Sequence, residues 1–118
     1  MGWFKTEVDP AEWEHLNREI ARLVEERQLE GALQQGTDLV LYSRKYYGRQ
    51  HPRMATSLNN LGLIYLLRED HEKAESCFLN ALEISEKANG KNSSETALIN
   101  RNLALLYSAK YRKIQEMQ

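Results

Sequence analysis

The 118-residue chain has one cysteine, two prolines and six glycines, and it has no surplus of either charge. Each shortage excludes something. Cys77 alone can form no internal disulfide and cannot build a zinc site without further ligands. Sixteen Lys and Arg stand against seventeen Asp and Glu, a formal net charge of −1. That balance lacks the clustered basic excess needed to grip nucleic acid or an anionic membrane, so neither is expected as a partner. The longest apolar run, Leu61 to Leu67, is seven residues, far too short to span a bilayer. Met1 to Glu7 carry neither the basic segment nor the apolar core of a secretory signal. Gly2 followed by Thr6 matches an acylation pattern only loosely. The expectation is a soluble, cytoplasmic protein.

Catalytic chemistry is equally scarce. His15, His51 and His71 are not at metal-ligand spacing. No glycine-rich phosphate loop, nucleophile elbow or Cys–His arrangement occurs. Cys77 lies beside Phe78 on an apolar stripe with nothing electropositive next to it, so it reads as a buried structural thiol. The carboxylates sit on polar faces within reach of a cation, as in Glu69–Lys73 and Glu83–Lys87, and read as solvated helix pairs. The chain is therefore expected to be no enzyme and to need no cofactor or metal.

What the chain does have is a repeat. Shifted by 42 residues, Leu61, Leu63 and Tyr65 fall on Leu103, Leu105 and Tyr107. The same shift sets Glu30, Ala32, Ser43, Lys45 and Gly48 on Glu72, Ala74, Ser85, Lys87 and Gly90. In the first helix, Ile20, Ala21 and Val24 match Leu61, Gly62 and Tyr65 only with a shift of 41, which implies one residue fewer in that inner turn. The unit is two helices. Ala74, Cys77, Phe78, Ala81, Leu82 and Ser85 recur at three- and four-residue steps, one face of a helix. Ala55, Leu58, Leu61, Gly62 and Tyr65 form the stripe of the helix before it.

Boundary residues give the limits. Asp9-Pro10-Ala11-Glu12 reads as an N-cap with proline at the first helical position. Pro52 starts another helix, Asp70 caps a third, and Asn92 with Glu95 is expected to cap the last. Gly48 and Gly90 sit where a helix end needs a left-handed residue. Five helices are predicted, at about 10–28, 30–47, 52–68, 71–88 and 94–115. Short loops make neighbours antiparallel. The predicted fold is all-α, a single right-handed superhelix of about five helices. It comprises a first repeat at about 10–50, a second at about 51–92 and a closing helix.

Leu58, Leu61, Gly62, Tyr65, Ala74, Phe78 and Ala81 resemble the signature of a tetratricopeptide repeat, with small residues where two helices approach and large ones filling around them. The 42-residue period, and the segment His51 to Leu61 followed by Ala74 to Ile84, are similar to the long repeats of kinesin light chain. The first repeat departs from the pattern at Gly36, where a large aromatic is usual. The resemblance implies a module that holds another protein or peptide in a groove lined by the first helix of each pair. It places His15, Arg18, Arg22 and Glu25 in that groove from helix one. Thr56, Asn59, Asn60, Leu63 and Leu66 come from helix three, and Leu98, Arg101, Asn102, Leu105 and Ser108 from helix five. Asparagine can donate to and accept from an extended backbone, and arginine can clamp a carboxylate. An acidic peptide with an apolar residue is the expected ligand.

Helix five carries more apolar residues than one core stripe needs. Leu98, Leu105, Leu106, Tyr111 and Ile114 are the alternative interface, one through which copies of the chain would self-associate as a homo-oligomer. Trp3 and Phe4 are expected to staple onto helix one and cover the N-terminal end of the stack.

Overall fold

Every predicted helix forms, with each end within three residues of its expected place. The computed structural model describes residues 9–118. It contains α1 (Pro10–Glu25), α2 (Leu29–Tyr46), α3 (Pro52–Leu67), α4 (His71–Asn89) and α5 (Ser94–Glu116), with no strand among the described residues. Trp3 and Phe4 lie outside the described residues.

Local chemistry sets the starts. Asp9 accepts from the Ala11 amide at 3.0 Å and Asp70 from the Lys73 amide at 3.3 Å. Before Pro52 the cap is His51, whose Nδ1 accepts from the Arg53 amide at 3.0 Å. At α5 the structure corrects the expected cap: Ser93, not Asn92, accepts from the Thr96 amide, at 3.1 Å. Both helices ahead of the tight A-to-B turns end in paired backbone bonds, Gln28 to Leu23 and Asp70 to Tyr65, each at 2.9 Å. Those turns use left-handed Arg27 (φ 60°) and Glu69 (φ 63°), whereas the B-to-A turns use Gly48 and Gly90 (φ 97° and 94°).

Each of these turn pairs is separated by 42 residues, and so are Pro10 and Pro52. α1 and α3 are both 16 residues long. The period is therefore 42 throughout, and the one-residue contraction expected in the first helix does not occur. It was suggested by size, not spacing. Ile20 stands at the place of Gly62, and Gly36 at the place of Phe78, so large and small are exchanged between the two repeats. Phe78 closes on Gly62 so tightly that a Cβ there would lie 2.6 Å from the ring. The space above Gly36 is filled instead by the Ile64 and Leu61 side-chain tips of α3.

Consecutive helices pack pairwise, and the A-type helices α1, α3 and α5 also touch one another laterally. The stack measures 58 × 32 × 19 Å, about two helix diameters thick. Its core runs from Trp13, Ile20 and Leu39 through Met54, Ala55 and Ile84 to Phe78, Ala81 and Leu106. Buried hydroxyls stitch the repeat junctions. Trp13 Nε1 donates to Ser43 Oγ at 2.9 Å, and Ser43 shares a 2.6 Å bond with Ser57. One repeat later Ser85 bonds Thr96 at 2.9 Å.

Candidate partner-binding surfaces

The residues expected in the groove divide among three environments. The first is the seam between A helices. Asn102 Nδ2 donates to Asn59 Oδ1 at 2.9 Å, and both side chains are buried. One repeat earlier Asn60 donates in the same way to Asn17. The two pairs are related by the 42-residue period, since 17 and 60 become 59 and 102. These amides therefore bind helix to helix. Asn59 gives its carbonyl oxygen and Asn102 its amide NH2 to this contact, and Asn17 is the member the sequence reading missed.

The second environment is the N-terminal end of the stack. By the 42-residue period Arg22 corresponds to Ile64, which is fully buried against α2. No described helix precedes α1, so the equivalent face meets solvent. There Arg22 pairs with Glu19 and, at 2.6 Å, with Glu26. The hydrogen bond from Arg22 holds the Glu19 carboxyl below its usual range, and the two glutamates raise the guanidinium in turn. Arg22 thus lies with His15 and Glu19 on the α1 face that corresponds to Ser57, Leu61 and Ile64 of α3, paired to glutamates of its own helix.

The third environment is open. Leu63, Leu66 and Leu67 of α3 face Leu105 and Ala109 of α5 across a groove of about 580 Å³. Arg112 and Lys113 line the same groove, opposite Glu69 and His71. Leu105 and Leu98 are each about half exposed (48%). Along α5, Leu98, Arg101, Leu105 and Arg112 fall on one stripe by helical spacing. Arg18, Arg101 and Arg112 form no ion pair among the described residues.

The residues expected to mediate self-association separate as well. Leu106 is fully buried with Phe78 and Leu103, so it belongs to the core and is unavailable to a second copy. Leu105 lines the groove, and Leu98 lies two turns before it on the same stripe of α5. Tyr111 and Ile114, 63% and 54% exposed, do not line that groove, and Ile114 instead borders a second cavity with Lys110, Lys113 and the turn from Arg68 to Glu72.

One cluster carried no sequence signal. Arg53 stacks over Trp13 and Tyr47, its guanidinium carbon 4.6 and 5.1 Å from the ring centres. It also donates to the Tyr47 hydroxyl at 2.6 Å and to Glu14 at 3.0 Å. It locks the two repeats together, yet its repeat-equivalents are Ala11 and Glu95, so periodicity could not reveal it. The expected Glu83–Lys87 pair forms at 3.2 Å, while Lys73 turns to Asp70 (3.9 Å). Burial pushes the Cys77 thiol up to about 11, which keeps it protonated at neutral pH. The described residues contain no helix able to cross a membrane and no group of potential metal ligands.

A family model described as the tetratricopeptide repeat matches this chain twice, over residues 23–79 and 53–117. The chain belongs to the tetratricopeptide repeat family. Among similar proteins is a clustered mitochondria protein homolog from Meyerozyma guilliermondii, 41% identical over 58 residues. That match covers 49% of this chain and only 5% of the relative. Among solved structures, that of BtubC (BKLC) from P. vanneervenii superposes with a TM-score of 0.79 over 90% of this chain and 42% of its own, at 21% identity. This likeness establishes the shared helical solenoid. Tetratricopeptide repeats are in general protein–protein interaction modules, and their fold is typically a non-catalytic scaffold.

Proposed function

We propose that this chain holds an acidic, partly apolar segment of another protein in the groove between α3 and α5. The observation that carries the reading is the union of a leucine-lined groove, with Leu63, Leu66 and Leu67 half-buried and Leu105 exposed, and unpaired cations beside it. Leu63, Leu66 and Leu105 would take an apolar side chain of the ligand. Arg101 and Arg112, with Arg18 further along the A-helix face, would take its carboxylates. The paired amides at the helix seam, Asn59–Asn102 buried and Asn17–Asn60 half-buried, would contribute rigidity to the groove.

Selection of displayed peptides on the wild-type chain tests this. Enriched peptides should combine Asp or Glu with Leu, Ile or Phe. Their affinity should fall at least roughly tenfold for Leu105→Asp and for Arg101→Glu, the scale of losing one apolar anchor or one charge-assisted contact. Arg22→Ala should bind as wild type. Equal binding by wild type and Leu105→Asp would remove the groove from consideration. A second reading, a scaffold in which copies associate through α5, is favoured by a different observation, the exposure of Tyr107, Tyr111 and Ile114 along that helix.

A further inference from the structure

One side of α5 is the face that α3 uses to hold α4. By the 42-residue period, Ala55, Leu58, Gly62 and Tyr65 of α3 become Ala97, Asn100, Ala104 and Tyr107 of α5. In α3 that face is covered: Phe78 lies on Gly62, and Leu58 and Tyr65 pack on the same cluster. In α5 it is bare. Ala97, Asn100, Ala104, Tyr107, Tyr111 and Ile114 are all exposed.

These positions are spaced 3, 4, 3, 4, 3. That is the spacing of a two-helix seam, not of a helix set into a broad groove. Their order is uneven. The N-terminal three are small or short, and the C-terminal three are large. Laid antiparallel on itself with the two-fold axis between residues 105 and 106, the helix sets Ala97 against Ile114, Asn100 against Tyr111 and Ala104 against Tyr107. Every large side chain then meets a small one. In a parallel arrangement small would face small, leaving gaps, and large would face large. None of the six is charged, and the charged groups beside Tyr107, Lys110 and Glu75, already pair with each other at 3.2 Å. Asn100 would have the Tyr111 hydroxyl opposite it, a polar match that disfavours slipped registers. An α4-like helix fits less well, because the Ala104 Cβ stands where the Phe78 ring closes on Gly62.

We propose that α5 pairs with α5 of a second copy as an antiparallel seam formed by these six residues. This rests on the second reading above, association of copies through α5, and supplies its face, direction and register. Six side chains make a small interface, so the dimer should dissociate reversibly.

Sedimentation equilibrium over a range of concentrations tests it, with Ala104→Glu on the seam and Leu105→Glu on the groove side. Both positions are exposed, so both variants should keep the wild-type helical dichroism. The wild type and Leu105→Glu should approach twice the monomer mass. Ala104→Glu should dimerise roughly tenfold or more weakly, because a carboxylate would be buried unpaired. In a Cys77→Ala background, mixing Ala97→Cys with Ile114→Cys should yield the mixed disulfide and little Ala97→Cys self-crosslinking. A wild type that stays monomeric at the highest concentration overturns both association and seam. A dimer indifferent to Ala104→Glu but lost in Leu105→Glu overturns the seam while leaving association through α5 standing. Self-crosslinking of Ala97→Cys overturns the antiparallel register.

Discussion

Arg27 and Glu69 hold left-handed backbone without being glycine. The Cβ cost of that conformation is about 1–2 kcal/mol per residue, partly offset by the entropy a glycine would lose on folding. Glu69→Gly and Arg27→Gly should therefore each stabilise the fold by roughly 0.5–1 kcal/mol, read as a higher urea midpoint. A second residue-scale prediction concerns His51. Burial first, and Arg53 second, hold its imidazole below the ordinary value, and its Nδ1 must stay unprotonated to cap α3. The unfolded chain then takes up the proton first as pH falls. The stabilisation is present above the ordinary histidine range near 6.5 and is lost as pH drops through it toward the lower folded value. Denaturation midpoints measured at about pH 7.5 and 5.5 should fall less in His51→Asn, which caps without titrating in this range.

Helices are where the sequence was most readable. Caps, stripes and glycines act over a few residues, so the ends of α1 to α5 followed from local chemistry. Pairing between helices was less readable, because it depends on what lies across the contact. Gly36 looked like a defect in the signature, yet the Ile64 tip fills its space. The exchange of large and small between Ile20 and Gly62 imitated a missing residue. Gly62→Ala should destabilise by about 1–3 kcal/mol, since the Phe78 ring is braced on several atoms, and adding Phe78→Leu should recover part of the loss. Gly36→Ala should change stability much less. Only a side-chain tip opposes it, at 2.9 Å, and the gain in helix propensity is about 1 kcal/mol. Thermal melts of these three variants beside the wild type would rank these effects. The same dependence on neighbours explains the site. Arginine or asparagine at a groove position reads identically whether the helix beside it exists or not. Asn59 is paired with Asn102, and Arg22 with glutamates of its own helix.

Taken whole, the described stack presents unlike outer faces: a charged one on α1 and one on α5 whose six residues are uncharged, two of them tyrosines. Its stability should be graded in the same sense. Hydrogen exchange should be slowest in α3 and α4, where Ala74, Phe78 and Ala81 are fully buried. It should be fastest beyond Tyr111, where every residue of α5 is exposed, and raising the protein concentration should slow it over residues 97–114 if the seam forms. The paired asparagines carry a further consequence. Asn17–Asn60 and Asn59–Asn102 are one bond copied by translation, so the contact that joins a repeat to the next is the same wherever it falls. The molecule can be lengthened like a chain of identical links. Inserting a second copy of residues 51–92 after residue 92 would recreate that amide bond at each new junction, and the product should fold as a longer rod with the same two ends.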